Sequence, residues 1–171
     1  MSTRTIMIFP EFENIDVINN IRRKYDPLAD LVLPHITLVF PFDSGLTDGE
    51  LKLHLKECLS GIKPFQAELE GFSKQKNKYG NYLLLNVVQG SDDIINIHDR
   101  LYSNKLKEFD AGYEYVPHMT VGKVSSAELL DEAFADVNKC RDKFSTVIKK
   151  ISVEMIGEHE ESIIIIEHEL T

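Results

Sequence analysis

Two histidines, each followed two places on by a threonine, are the residues of this chain best suited to chemistry. They stand in Pro34-His35-Ile36-Thr37-Leu38-Val39-Phe40 and, in the second half, in Pro117-His118-Met119-Thr120-Val121-Gly122. Both copies lie in apolar, β-branched surroundings and read as strands, on which alternate side chains point to opposite faces. His35 and Thr37 then share one face, as His118 and Thr120 do, while Ile36 with Leu38 and Met119 with Val121 turn to a core. Two such strands facing one another make a cleft with two imidazoles and two hydroxyls. That set suits a phosphodiester. In-line displacement at phosphorus needs a base for the attacking oxygen and an acid for the leaving oxygen on the opposite side, so one imidazole per side is the minimum. The ordinary imidazole pKa of about 6.5 allows either role near neutrality. Threonine hydroxyls can donate to the non-bridging oxygens, where negative charge sits in the transition state. The scheme calls for no metal and no organic cofactor.

The paired motifs His35-Ile36-Thr37-Leu38 and His118-Met119-Thr120-Val121 resemble those of the 2H phosphoesterase superfamily, and within it the small single-domain members of the bacterial 2'-5' RNA ligase and cyclic phosphodiesterase group. The resemblance covers essentially the whole chain. It implies an α+β fold in two lobes, with antiparallel-rich sheets and flanking helices related by a pseudo-two-fold axis and one His-x-Thr strand per lobe. It also implies metal-independent chemistry on 2',3'-cyclic or 2'-5' phosphodiesters of RNA ends or small nucleotides. By analogy one histidine activates water, or a terminal hydroxyl in the ligase direction, and the other protonates the leaving oxygen. In many members the second motif ends in a basic residue, often Arg; here Gly122-Lys123 stands there.

The elements that must position these residues follow from periodicity. A strand at Thr3–Phe9 leads to an amphipathic helix at Asn14–Tyr25, and the first motif lies in Asp30–Phe42. A helix at Asp48–Leu59 follows, with His54 on its surface, and then a half-exposed strand at Phe65–Phe72. Ser73–Asn81 reads as a polar, basic loop before a returning strand, Tyr82–Val88. One helix is expected over Ser91–Phe109, with His98 beside its buried stripe, and another over Ser125–Cys140. Phe144–Ile156 and Ser162–Leu170 read as a closing hairpin, with Ile163–Ile166 buried on both faces. The order is β-α-β-α-β-β-α-β-α-β-β, taken as a single domain over residues 1–171 made of two intertwined lobes.

Five further residues are candidate substrate contacts. Phe40 and Lys123 flank the motifs. Arg22, in the last turn of the first helix, either reaches a phosphate or base at the cleft rim or sits on a solvated face. Tyr79, among Lys74, Lys76 and Lys78, belongs either to a solvated loop or to a flap supplying cations and an aromatic ring to a nucleotide. Tyr115 either packs against the strand or stacks on a base.

Composition bounds the rest. With 171 residues, 43% of them hydrophobic and 27% charged, the chain can bury a sizeable core. The formal net charge of −9 argues against clamping a long nucleic-acid duplex, which depends on many Lys and Arg contacts, and leaves room for a nucleotide or an RNA end. There is no run of about 18 apolar residues, so no membrane span is expected, and no leader pattern, so a cytoplasmic location follows by default. Cys58 and Cys140 read as reduced thiols. His159 and His168 lie among glutamates without a metal-ligand spacing. Oligomeric state is left open. Two other readings remain: a nucleotide- or RNA-binding module without turnover, and a hydrolase that needs a metal.

Overall fold

Alternation of apolar and polar residues builds eight strands, and the 3.6-residue repeat builds four α-helices, in the computed structural model, which describes residues 2–171. The strands are β1 (Ser2–Ile8), β2 (Ile36–Ser44), β3 (Phe65–Asn77), β4 (Gly80–Gln89), β5 (His118–Val124), β6 (Phe144–Ile148), β7 (Lys150–Ile156) and β8 (Ser162–Glu169). The helices are α1 (Ile15–Tyr25), α2 (Asp48–Cys58), α3 (Ser91–Leu101) and α4 (Ala127–Val137), with a 3-10 turn at Asn104–Phe109. The fold is α+β and its pairings are antiparallel. Where two sheets were expected, one continuous sheet is found, in the order β6-β3-β4-β5-β2-β1-β7-β8. Each half has four strands with its motif strand innermost, and among the described residues β2 and β5 pair across the seam at Ile36 with Met119 alone.

One covalent fact bends this sheet. β6 and β7 are separated by Lys149 alone, yet they occupy the first and seventh places. Six flat inter-strand steps would span about 29 Å, while the two Cα–Cα links through one residue reach under about 8 Å. The sheet therefore curls. Its aliphatic face (Ile6, Ile8, Leu38, Val39, Leu83, Leu85, Met119, Val121) is fully buried under the helices. The helices cross over the seam: α1, which follows β1, packs on β5, and α3, which precedes β5, packs on β2.

Several sequence expectations are corrected. The Phe144–Ile156 run is two strands in different halves, because Lys149 carries the chain from β3 to β1. Ile163 and Ile164 are exposed, since β8 is a sheet edge with a neighbour on one side only. Ser73–Asn81 is not a loop: β3 and β4 stay paired to Asn77–Gly80, their polar residues reflecting exposure of both faces. The Ser91–Phe109 helix breaks after Leu101, where Asn104 adopts φ 47°, a left-handed backbone that Asn tolerates. His54 is buried, its Nε2 set 2.9 Å from the Leu101 carbonyl, because it shares the stripe of Leu51, Leu55 and Cys58 that packs on α3. No helix of the described residues is long and apolar enough to cross a membrane.

Gly122 permits a close approach of α1 to the motif strand β5. A Cβ there would lie 2.9 Å from the Tyr25 Cβ and 3.2 Å from the Leu83 Cβ. Gly122→Ala is expected to lower stability by about 1–3 kcal/mol through overpacking, read as a fall in the urea midpoint at unchanged slope.

Candidate active site

The seam pair sets the site. Carrying the antiparallel register of Ile36 and Met119 one residue each way places His35 opposite Thr120 and Thr37 opposite His118. All four side chains are on the face without helices, the intervening Ile36 and Met119 being fully buried on the other. In a regular ladder, directly opposed Cβ atoms lie about 5 Å apart and diagonal ones on the order of 7 Å. The imidazoles occupy one diagonal and the hydroxyls the other, around a space that fits a phosphoryl group.

Each motif strand carries a bulge at the same place after its threonine. Thr37 pairs with Met7 and Val39 with Ile6, leaving Leu38 extra; Thr120 pairs with Leu84 and Gly122 with Leu83, leaving Val121 extra. Two consecutive buried residues result in each strand, Leu38-Val39 and Val121-Gly122. A bulge resets the alternation. Phe40 and Lys123, which strict alternation would send to the core face, therefore emerge on the face of the histidines. Phe40 is 51% exposed.

The two imidazoles are held alike. His35 Nδ1 donates to the Leu33 carbonyl and His118 Nδ1 to the Val116 carbonyl, each at 2.8 Å. A carbonyl can only accept, so Nδ1 bears the proton and each neutral ring keeps its lone pair on Nε2. Burial lowers both imidazoles from their ordinary range, and the carbonyl bonds only partly offset it. For His35 the positive charges of Arg22 and His118 push in the same direction as burial, and Asp26 opposes them.

Neighbouring aromatics brace this geometry. The Tyr115 hydroxyl donates to the Thr37 carbonyl at 2.7 Å, tying the approach to β5 onto β2, and burial pushes its phenol far above the ordinary range. The Tyr115 ring stacks on His98 at 3.8 Å, and Tyr102 accepts the Phe40 N–H at 3.0 Å.

Of the five candidate contacts, Phe40 and Lys123 share the face of the histidines. Arg22 does not: it is 1% exposed and donates to Asp26 and to the carbonyls of Val32 and Leu28, because α1 turns it inward to fasten the loop leading to His35. Tyr115 gives its hydroxyl to Thr37 and one ring face to His98. Tyr79 caps the β3–β4 turn, and Asn86 is the residue opposite His118, so seven residues of β4 separate Tyr79 from that level, about 23 Å. Sequence reasoning missed Phe9, whose ring lies 6.0 Å from that of His35, and Asn86. Strand order alone brings them there, and no local pattern signals it.

With this geometry in view, similarity to known proteins is informative. Residues 9–156 match the model of the 2'-5' RNA ligase superfamily. A candidate phosphoesterase of Bacillus pumilus is 30% identical over 133 residues, 77% of this chain and 74% of that protein. Among solved structures, a Thermus thermophilus protein superposes with TM-score 0.69 at 10% identity, covering 98% of this chain and 97% of its own. Escherichia coli LigT in complex with 3'-AMP does so with TM-score 0.64 at 15% identity, covering 99% and 98%. These two likenesses bear on fold.

The lowered imidazoles have a stability consequence. Between their native pKa values and about 6.5 the unfolded chain holds more protons than the native one, so stability rises with pH across that window and their contribution levels off above it. The His35→Asn/His118→Asn double variant is expected to lose this part of the slope, read as the difference between urea unfolding free energies of variant and parent from about pH 5 to 7.5.

Proposed function

The chain belongs to the 2'-5' RNA ligase superfamily, the 2H phosphoesterases, and we propose that it opens 2',3'-cyclic or 2'-5' phosphodiesters at RNA ends or on small nucleotides, without a metal, through His35 and His118. The observation that carries this reading is the matched tethering of the two rings. Each gives Nδ1–H to the carbonyl two residues back and leaves Nε2 free beside a threonine of the other strand.

The chemistry runs from neutral and charged forms of that pair. One neutral imidazole takes a proton from water as its oxygen attacks phosphorus. The P–O bond to the ribose oxygen breaks on the opposite side, and the other ring, as imidazolium, gives that oxygen its proton. The product is a phosphomonoester with a free neighbouring hydroxyl. In the ligase direction a ribose hydroxyl replaces water. Thr37 and Thr120 donate to the non-bridging oxygens. A nucleotide ligand agrees with the 3'-AMP complex of LigT, and the net charge of −9 favours a short one.

Turnover of nucleoside 2',3'-cyclic phosphates in EDTA tests this. His35→Ala and His118→Ala should each lose about 10²–10⁴-fold, and Thr37→Ala or Thr120→Ala about 10²-fold. Rates that survive both histidine variants, or vanish with the chelator, would contradict it. The pH profile adds a sign. The acid must hold its proton, and burial makes it release that proton below about pH 6.5. kcat/KM is therefore expected to peak below that value and fall as pH rises, whereas the kcat profile, measured with the phosphate anion bound, shifts upward in pH.

A further inference from the structure

β2 loses one of its strand partners early. Among the described residues it pairs with β5 at Ile36 alone, so its backbone from Thr37 onward has no ladder with β5, and backbone polar groups seldom go unpaired. Two phenols take up part of that need. Tyr115 donates its hydroxyl to the Thr37 carbonyl at 2.7 Å, and Tyr102 accepts the Phe40 N–H at 3.0 Å. Both rings meet on His98. Its imidazole lies parallel to the Tyr115 ring, with centroids 3.8 Å apart at 5°, and edge-on to the Tyr102 ring at 5.0 Å and 65°. His98, in the last turn of α3, and Tyr102, which caps that helix, are four residues apart and share its face, and α3 packs on β2.

His98 is itself held in place. It is 8% exposed, and its Nδ1 donates to Asp99 Oδ1 at 2.9 Å, which fixes the plane of the ring. Tyr115 carries that order to the second motif through the chain. Of residues 111–116, five are exposed and Tyr115 alone is partly buried. The next residue, Val116, supplies the carbonyl that holds His118 Nδ1. The matching carbonyl for His35, at Leu33, is steadied from another helix: Arg22 of α1 bonds the carbonyls of Val32 and Leu28 beside it. Each tether thus rests on a side chain of a helix that crosses the seam, Arg22 for His35 and His98 for His118.

Resting on the reading of His118 as a reacting group, we propose that His98 is a positioning residue for the reaction: it seats the Tyr115 ring, and through Tyr115 it sets both the Val116 carbonyl that orients His118 and the Thr37 backbone across the seam. A planar ring with a donor on its edge suits this place. It packs on both tyrosines, while the bond to Asp99 fixes the angle at which Tyr115 can lie against it. Carried by α3 on the helix side of the sheet, His98 acts only through these neighbours.

Three variants test the proposal. His98→Leu nearly keeps the volume and removes the planar ring, His98→Phe restores a ring without the Asp99 bond, and Tyr115→Leu removes the same stack from its other side. Turnover of adenosine 2',3'-cyclic phosphate is read together with ring-nitrogen NMR of the free protein. In His98→Leu, kcat should fall about 10- to 100-fold, the cost of a misplaced reacting group, with KM little changed. In the same variant His118 should share its proton between Nδ1 and Nε2, while His35, whose tether rests on Arg22, keeps its proton on Nδ1. His98→Phe should recover most of the rate and of the His118 spectrum. Tyr115→Leu should repeat the result of His98→Leu, and it carries the test if that variant does not fold. Both rings disturbed alike would mean a general loosening of the fold and overturn the proposal, as would His98→Phe no better than His98→Leu. If the parent turns over no cyclic phosphate, the spectra still decide: His118 disturbed alone keeps the positioning role, and His118 unchanged sinks it. Full rates in both leucine variants sink the positioning role and spare the reaction.

Discussion

A hydrogen bond from the imidazole of each His-x-Thr motif to the carbonyl two residues earlier is the constraint on which the rest depends. It fixes which nitrogen carries the proton and where the other one points. The carbonyls of Leu33 and Val116 are free to accept because both residues precede the paired part of their strands, which begin at Ile36 and His118. Pro34 and Pro117 stand just before the histidines, and a residue with no N–H is suited to the point where a ladder starts. The repeated proline therefore belongs with the repeated histidine: it marks where backbone pairing stops and ring tethering takes over.

Around that constraint the fold joins two halves at their least continuous point. A single residue pair links β2 to β5, and a long ladder there would fill the site with paired backbone. The mechanical burden falls instead on helices that cross the seam, α1 onto β5 and α3 onto β2, and on Tyr115, which ties the approach to one motif to the carbonyl of the other's threonine. Both matching bulges turn an odd spacing into a shared face, so that an aromatic ring at Phe40 and a cation at Lys123 flank the same cleft. The two ends of the cleft thereby differ in chemistry although their backbones follow one plan.

Much of this was legible in the sequence, and what was not has a physical reason. His35, Thr37, His118 and Thr120 declare themselves because strand alternation is a local property and the motif occurs twice. Helices α1, α2 and α4 follow from their apolar stripes. Facts set by a neighbour distant in sequence stayed hidden: the split of Phe144–Ile156 at Lys149, the exposed edge at Ile163 and Ile164, and the bulges. Arg22 and His54 misled because a charged or polar side chain on a helix reads as solvated until its burying partners are known, here the Val32 and Leu28 carbonyls and the end of α3. The pattern around His54 held a usable signal, since Leu51, Leu55 and Cys58 share its stripe.

The most direct measurement of the central claim is the ring-nitrogen NMR spectrum of the histidines, assigned through His35→Asn and His118→Asn, near neutral pH without ligand and with 3'-AMP. Both rings are predicted to be neutral with the proton on Nδ1, and at least one is predicted to gain a proton on Nε2 when the phosphate binds. Either ring protonated on Nε2 instead of Nδ1 in the free protein, or two rings unaffected by a bound phosphate, would contradict the account.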